Sequence, residues 1–369
     1  MKFSEVIGHK GIKEYITKSV RNGKVSHAQI FLGPKGNGNL ALALAVAQFV
    51  NCLKPTETDS CGKCRSCLKS QKFIHPDIHY SFPTIGSKAT SNNFLKDWRV
   101  ALEKNPYLNV YEWLQHIKAE KKQGNITKDE CHQIIHKLSF KANEGKFKVL
   151  IMWQPEYLGK EGNRLLKLIE EPPANTLFIL VAHHQDLILN TILSRTQLLR
   201  VPRLPDEEIE DALQQKYQIS MEKAKQIAIL AEGNINKALH LLESADNDNQ
   251  QLLLNWIGAC QQQQIAAMFQ HSEHLATLGR EQQKNFLAYC LYFIRQSLLL
   301  KVMPTQAVAV SGAEKQLAKQ IATALKLEQF ERIFEMFNKA SAHIERNANA
   351  RITFLYMSSK LIDMLKQRR

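Results

Sequence analysis

The segment Gly33-Pro34-Lys35-Gly36-Asn37-Gly38 has enough glycine for its backbone N–H groups to approach a phosphate closely. An apolar stretch at residues 29–32 precedes it, and an alanine-rich stretch at residues 40–50 follows it. A strand, a glycine loop and a helix in this order are typical of a nucleotide-binding phosphate loop. The alternative is a chance glycine turn before a helix, because so short a motif also matches by accident.

A working phosphate loop needs two further side chains that this loop lacks. Asn39 stands where a lysine must reach the β- and γ-phosphates, and Leu40 stands where a Ser or Thr must hold Mg²⁺. Lys35 lies four positions too early to replace the lysine, although it could meet a phosphate nonspecifically. We therefore predict a degenerate loop that does not hydrolyse ATP, formed by Gly33, Pro34, Gly36, Gly38 and Asn39.

Four of the seven cysteines lie within sixteen residues in the pattern C-x8-C-x2-C-x2-C: Cys52, Cys61, Cys64 and Cys67. Zinc–sulfur bonds of about 2.3 Å require four sulfurs that converge from short turns, and a closed four-thiolate shell leaves no open position for catalysis. We predict one structural zinc ion in a module at residues 52–67. Disulfides are the alternative, but they fit less well with an intracellular chain and with C-x2-C pairs.

The composition indicates a globular chain of two or three domains with an anionic partner. The chain has 369 residues, 44% of them hydrophobic, and a net charge of +14. This charge favours nucleic acid as a partner, although many basic proteins bind none. We find no apolar run of about 18 residues and no secretory signal, so we predict a cytoplasmic protein without membrane contact.

The positions of the apolar runs predict an α/β fold. Residues 148–152 and 177–182 are near-continuous apolar runs, as expected for strands covered on both faces, and a helix over residues 160–169 is predicted between them. Residues 77–82 alternate like a short strand, and residues 128–140 have the pattern of a helix. Alternating strands and helices predict a three-layer parallel sandwich, with any nucleotide chemistry at the carboxyl ends of the strands.

Residues 91–122 are predicted to be an insertion of amphipathic helices around Asn105-Pro106. The aromatic residues of this insertion either form part of a core or present a partner surface; they are Trp98, Tyr107, Tyr111 and Trp113.

The strands end near Pro205, and the rest of the chain has only helical patterns. Residues 206–217, 221–231 and 236–244 predict three helices, with Ser220 as an N-cap and Gly233 as a helix stop. A polar stretch at residues 246–250 precedes an all-helical third that includes apolar stretches at residues 286–302 and 330–365. The predicted domains are therefore residues 1–204, 205–245 and 246–369.

Taken in order, these motifs resemble one family. They are Val6-Ile7-Gly8, Ser26-His27-Ala28, the glycine loop, the four cysteines, His75-Pro76-Asp77, Leu165-Leu166-Lys167, Glu170-Glu171-Pro172-Pro173 and Ser194-Arg195. The chain resembles the delta-prime subunits of bacterial DNA polymerase III clamp loaders, with motifs over roughly the first 240 residues. The resemblance implies the AAA+ architecture: a RecA-like domain at residues 1–204, a three-helix lid at 205–245 and a helical collar at 246–369.

The same resemblance implies roles for individual residues. In this family the gamma or tau subunits hydrolyse ATP, whereas delta-prime offers an arginine to the neighbouring ATP. Ser194-Arg195-Thr196 matches the family's Ser-Arg-Cys motif apart from the threonine. A guanidinium suits this role because it is always charged and can bind phosphate oxygens in a bidentate manner. The alternative is a surface arginine that pairs with a local carboxylate.

Other positions that the resemblance marks as catalytic lack the required groups. Trp153-Gln154 replaces a pair of acids, and Ala182 stands where a polar sensor is expected. Asn236 replaces a lid arginine. Glu156 is the nearest acid, and we expect it to begin a helix rather than to act as a base. So many losses together predict no self-catalysis, since an arginine finger alone contributes about 10³- to 10⁵-fold.

The predicted function is that of a noncatalytic delta-prime-type subunit, with zinc as its one tightly bound cofactor. It would join gamma/tau- and delta-type subunits in a ring, donate Arg195 across an interface and help to load a sliding clamp on primed DNA. Two alternatives remain open: a slow, divergent gamma/tau-like ATPase, and a freestanding zinc-bearing DNA-binding protein.

Overall fold

A computed structural model describes residues 1–119, 122–243, 249–303, 310, 312–346 and 348–366. The chain divides into two compact units. The first contains residues 1–212 and 232–237, and the second contains residues 213–231 and 238–369. The predicted boundaries near residues 204 and 245 therefore remain predictions.

A parallel five-stranded sheet forms the centre of the first unit, in the order β2-β3-β4-β1-β5. The strands are β1 Ala28–Leu32, β2 Ile78–Ser81, β3 Lys148–Trp153, β4 Thr176–Ala182 and β5 Gln197–Arg200. At the carboxyl edge of the sheet, Leu32 pairs with Ala182 and Trp153 pairs with Val181. The RecA-like parallel architecture predicted from the sequence is confirmed.

Helices follow most of the strands. They are α1 Lys10–Arg21, α2 Asn39–Val50, α3 Arg65–Gln71, α4 Leu95–Lys104, α5 Val110–His116, α6 Lys128–Ser139, α7 Leu166–Glu170, α8 Asn190–Leu193 and α9 Asp206–Tyr217. Every residue of α2 is buried, and α2 packs against β1, β3 and β4. Helices α6 and α7 share a separate core with alternate residues of the same strands, so both faces of the sheet are covered.

Two elements of this unit differ from the predicted ones. The predicted helix over residues 160–169 is a 3-10 segment, Pro155–Leu165, followed by the short helix α7. Gly159 interrupts the 3-10 segment with φ of 50° and ψ of −135°, which is outside the helical region. Strand β5 was not predicted, because its residues are mostly exposed and show no apolar run.

The insertion (residues 91–122) leaves the sheet after β2 and returns before α6. Thr84 and Asn125 close its base by exchanging backbone hydrogen bonds of 2.8 and 2.9 Å. Within it, a 3-10 turn, Ser91–Phe94, leads into α4, and α5 follows the Asn105-Pro106 turn. The amphipathic helices predicted here are therefore confirmed.

Four aromatic side chains anchor the insertion to the ends of β2 and β3. This aromatic cluster consists of Phe82, Trp98, Trp113 and Trp153, all of which are 1% exposed or less. Trp98 stacks on Phe82 with ring centroids 4.3 Å apart and lies 5.1 Å from both other rings. Trp113 Nε1 donates a 2.7 Å hydrogen bond to the carbonyl of Pro83. The aromatic residues of the insertion were predicted to form either part of a core or a partner surface. Trp98 and Trp113 belong to a core.

The second unit is built from helices. These are α10 Met221–Ala231, α11 Ile235–Glu243, α12 Asn249–Gln261, α13 Ile265–Thr277, α14 Arg280–Val302, α15 Gly312–Ala324, α16 Leu327–Glu345 and α17 Ala350–Lys366, of which α11 begins in the first unit. The apolar stretch at residues 330–365 comprises two helices, since α16 ends at Glu345. Most of the polar stretch at residues 246–250 lies outside the described residues. Within the described part of the chain, no helix has the length and apolarity needed to cross a membrane.

Asp77, from the His75-Pro76-Asp77 motif, organises the turn before β3. Its carboxylate accepts backbone N–H bonds from Asn143, Glu144 and Gly145 at 2.6–2.9 Å. Burial alone would raise the pKa of this carboxyl, but the three N–H donors together hold its pKa below the usual value. The ionised form therefore stabilises the folded state.

We expect Asp77→Asn to lower the free energy of unfolding at pH 7 by about 1.5–3 kcal/mol, because an amide N–H would face backbone donors. Since the folded-state pKa is below the unfolded one, the contribution is present above about pH 4 and is lost as the pH falls further. Urea unfolding from pH 7 to 3 measures both effects, with the exposed Asp186→Asn as the control. Equal losses in the two variants would contradict this role.

Candidate functional site

The predicted phosphate loop lies at the carboxyl end of β1, where α2 begins. Gly36 and Gly38 have φ of +71° and +104°, a region that favours glycine over other residues. Gly36, Asn37 and Gly38 are buried, whereas Lys35 is exposed. The glycine segment therefore connects a strand to a helix in the order that was predicted, and its centre is covered by other parts of the chain.

Asn39 points inward and is held by the loop itself. Its side chain is 2% exposed, and Nδ2 donates to the carbonyls of Gly33 at 3.0 Å and Ala182 at 3.3 Å. An amide in this position joins the ends of β1 and β4 by hydrogen bonds. It supplies no positive charge to a phosphate, so the residue at the lysine position has a structural role here.

Two histidines bind carbonyls of the same loop. His183 Nδ1 lies 2.9 Å from the Gly33 carbonyl, and His9 Nε2 lies 2.6 Å from the Asn37 carbonyl. A carbonyl only accepts, so each of these ring nitrogens carries the hydrogen. Burial lowers the pKa of both histidines, which keeps the rings neutral at physiological pH.

The positions at which the resemblance places catalytic acids are occupied by side chains without carboxylates. Trp153 ends β3 within the aromatic cluster, and Gln154 is 4% exposed in a left-handed conformation. Glu156 lies in the first turn of the following 3-10 segment, as predicted. Its Oε1 accepts the backbone N–H groups of His183 and His184 at 2.6 and 2.9 Å, so it orders the chain after β4.

The residues that begin α11 contact the loop directly. The backbone N–H groups of Ile235 and Asn236 donate to the Gly36 carbonyl at 2.9 and 3.3 Å. A Cβ atom on Gly36 would lie 1.9 Å from Asn234 Oδ1, so only glycine fits at this point. Asn236, at the position of the lid arginine, is 3% exposed and forms its hydrogen bonds with protein groups.

Arg195 lies at the surface after α8, and its hydrogen bonds are made with residues near it rather than with the phosphate loop. Its Nε donates to Glu170 Oε2 at 3.1 Å, and its Nη1 donates to the Thr191 carbonyl at 3.0 Å and to Ser194 Oγ at 3.4 Å. The side chains of Arg195 and Glu170 are 32% and 56% exposed. The local carboxylate considered in the sequence analysis is therefore present, and it belongs to the Glu170-Glu171-Pro172-Pro173 motif.

The four predicted metal-binding cysteines come together after the C-terminus of α2. The Sγ atoms of Cys52, Cys61, Cys64 and Cys67 all lie within 4.8 Å of one another. Cys61 Sγ and Cys67 Sγ are 3.9 Å apart, close to the spacing of about 3.8 Å that tetrahedral zinc–sulfur bonds of about 2.3 Å require. The donor set fits a tetrahedral metal ion.

Backbone groups of the turns are arranged to favour thiolates. The N–H of Cys61 points to Cys52 Sγ at 3.2 Å, and that of Cys64 points to Cys61 Sγ at 3.4 Å. The N–H groups of Lys63 and Cys64 lower the pKa of Cys61 to about 6. Burial instead raises the pKa of Cys52 and Cys67, a cost that a bound cation would offset.

Three residues of the insertion contact the phosphate loop or the segment that covers it, and the sequence did not predict these contacts. Tyr107 packs against Gly38, while Asn105 and Glu112 bind Asn236. The sequence alone gave no indication of these contacts, because the partners are far apart along the chain. Asn105 and Asn236, for example, are separated by 131 positions.

The order β2-β3-β4-β1-β5, with a phosphate loop after β1, defines an AAA+ fold. The family model described as DNA polymerase III, delta subunit, matches residues 8–205, which is more than half of the chain. The chain therefore belongs to this family of clamp-loader proteins.

The relatives include subunits of more than one kind. The chain is 26% identical to the tau subunit of DNA polymerase III from Bacillus subtilis, over 96% of this chain and 60% of that protein. It is 25% identical to the delta' subunit from the same organism, over 64% of this chain and 59% of that protein. The matched regions thus span about three fifths of each relative, and the identities do not distinguish tau from delta'.

A solved structure of a gamma-subunit-related protein from Thermotoga maritima is a more distant likeness. It covers 96% of this chain and 99% of that protein, with 14% sequence identity and a TM-score of 0.42. The family assignment does not depend on it.

We expect Asn39→Ala to lower the free energy of unfolding by about 1–2 kcal/mol, because two hydrogen bonds are lost while each carbonyl retains another donor. Asn39→Asp should cost more, since carboxylate oxygens would face the carbonyls of Gly33 and Ala182. Denaturant unfolding measures both variants, with the exposed Asn190→Ala as the control. A harmless Asn39→Asp would show that this side chain does not hold the loop.

Proposed function

We propose that the chain is a non-hydrolysing, delta-prime-type subunit of a DNA polymerase III clamp loader. The observation that carries this proposal is the state of the catalytic positions, where Asn39 and Trp153 are buried in structural contacts. The chain joins gamma/tau-type and delta-type subunits in a ring that loads a sliding clamp on primed DNA. ATP is hydrolysed by a neighbour, to which this chain contributes Arg195.

The surroundings of Arg195 support this contribution. Its partner Glu170 is more than half exposed, and an exposed ion pair of this kind contributes only about 0–1 kcal/mol. Nη2 has no hydrogen-bond partner among the described residues, so part of the guanidinium is free to meet a phosphate. A guanidinium that exchanges a weak partner for a bidentate phosphate contact suits a residue donated across an interface.

We expect Arg195→Ala to leave loader assembly intact and to slow hydrolysis at the neighbouring site by about 10³- to 10⁵-fold. In a reconstituted loader, rapid-quench measurement of the first turnover should show one fewer ATP hydrolysed per complex. Arg195→Lys should be nearly as slow, because an ammonium cannot form the bidentate contact.

Arg164→Ala is the matched control, since Arg164 is also a surface arginine paired with a glutamate, Glu161, at 2.6 Å. It should assemble and turn over normally. An unchanged first turnover in Arg195→Ala would disprove the donated arginine but would leave the scaffold role open.

We also propose that the thiol cluster binds one structural zinc ion. When bound, zinc would connect the end of α2 to the turn before α3 and fix the module at residues 52–67. Four thiolates would occupy all its positions, so the ion has no catalytic role.

The purified chain should contain one zinc per molecule by atomic emission. Cys64→Ser should lose most of the zinc and lower the melting temperature, because the ion stabilises only the folded arrangement of its ligands. Cys131→Ser, which changes a buried thiol outside the cluster, should retain the zinc. A metal-free, reduced and stable wild-type chain would exclude this site.

A gamma/tau-like ATPase is the second candidate, favoured by the tau and gamma subunits among the relatives. It requires saturable binding and turnover of ATP by the isolated chain. A freestanding DNA-binding protein, favoured by the charge of +14, would instead bind primed DNA tightly without other subunits and lose affinity steeply with salt.

A further inference from the structure

Any nucleotide held by the phosphate loop needs open space beside it for its sugar and base. Three segments of the first unit surround the loop: residues 7–9, residues 105–112 of the insertion and residues 232–236. The contacts that these three segments make with the loop determine whether there is room for the sugar and base of a nucleotide.

Tyr107 fills the space on Gly38. Its ring is 6% exposed, and its Cε1 lies 3.3 Å from the point where a Cβ on Gly38 would be. Even a methyl group on Gly38 would be closer to this ring than the ordinary contact distance of about 3.5–4.0 Å, so no ligand atom fits between the ring and Gly38. The hydroxyl of Tyr107 accepts the backbone N–H of Ile7 at 3.0 Å. A side chain of the insertion therefore satisfies a backbone donor beside the loop.

Asn105 and Glu112 connect the insertion to the segment that covers Gly36. Asn105 Nδ2 donates to Asn236 Oδ1 at 2.5 Å, and Asn236 Nδ2 donates to Glu112 Oε1 at 2.7 Å. The backbone of the same asparagine donates to the Gly36 carbonyl. The insertion, residues 234–236 and the loop are thus linked by consecutive hydrogen bonds.

The insertion is held in this position by its own core. The aromatic cluster fixes α4 and α5 to the end of β3, and the Thr84–Asn125 bridge closes the base. Burial of four aromatic rings strongly favours this folded arrangement. The contacts of Tyr107 therefore belong to a folded element rather than to a mobile loop.

We propose that Asn105, Tyr107 and Glu112 form an intramolecular plug that excludes nucleotides from the phosphate loop. The plug deepens the non-hydrolysing function proposed above by adding steric closure to the missing catalytic groups. Restoring those groups alone would then not restore binding.

The test combines a restored loop with removal of the plug in the full-length chain. Asn39→Lys with Leu40→Thr supplies the lysine and the hydroxyl, and Tyr107→Gly is added to open the space. The probe is a fluorescent ATP analogue with Mg²⁺, titrated to about 1 mM, the upper end of usual enzyme affinities. Tyr111→Ala is the matched control, because this aromatic residue of the same insertion is 45% exposed.

Wild type, the restored loop and the restored loop with Tyr111→Ala should all fail to saturate. The restored loop with Tyr107→Gly should saturate, at least tenfold more tightly than the restored loop alone. Saturation of the restored loop by itself, or no gain from Tyr107→Gly, would overturn the plug.

A second measurement does not depend on the folding of the restored loop. Tyr107→Phe keeps the ring and removes only the acceptor of the Ile7 N–H, so hydrogen exchange at Ile7 should accelerate by roughly fivefold while α2 is unchanged. Unchanged exchange at Ile7 would also overturn the plug. Neither experiment involves Arg195, so their outcome is independent of the arginine test in the reconstituted loader.

Discussion

The buried packing of Trp153 against Trp98 attaches the insertion to the end of β3 and determines which groups can lie there. Trp153 ends the interior strand β3, at the edge of the sheet where the resemblance places a catalytic carboxylate. A carboxylate there would have to remain hydrated or bind a metal ion, and neither is compatible with the contact that this position makes with the buried ring of Trp98. The same side chain, Trp153, therefore takes the position of the acid and provides the apolar surface on which the insertion packs. The insertion then lies where Tyr107 can reach the phosphate loop.

The conformation of the glycine loop is stabilised by contacts with protein side chains. Gly36 and Gly38 are required by their positive φ and by the close approach of Asn234 and Tyr107, whether or not a phosphate is present. The carbonyl of Gly33 accepts from both Asn39 and His183, which fills its hydrogen-bonding capacity. A loop stabilised by protein donors does not need the charge of a ligand. This explains how the glycines are retained in a chain that lacks the lysine.

The sequence predicted the parts of the fold that local patterns encode. The buried strands β3 and β4 form apolar runs, and the cysteine spacing identified a cluster that the structure brings together. Strand β5 was missed because an exposed edge strand needs no apolar run. Residues 160–165 were predicted as part of a helix because the three-residue period of a 3-10 helix is close to that of an α-helix. The approach of Tyr107 to Gly38 depends on how the insertion folds back, and no local periodicity records such a contact.

The phosphate loop and Arg195 differ in their exposure, and this difference supports separate roles for them. The phosphate loop is covered by residues of the same chain, and the amide nitrogen of Asn39 donates to carbonyls of the same unit. Arg195 instead lies at the surface with a partner that water already competes for. If the chain does not hydrolyse ATP, covering the loop does not lower any catalytic rate. The hydrogen bonds to the Gly36 carbonyl hold Ile235 and Asn236 in place by protein contacts. In the proposed loader, a partly exposed arginine on this surface would keep the same surroundings through the ATP cycle of its neighbour. Such constancy favours a residue that must be in place before charge develops on a phosphate bound elsewhere.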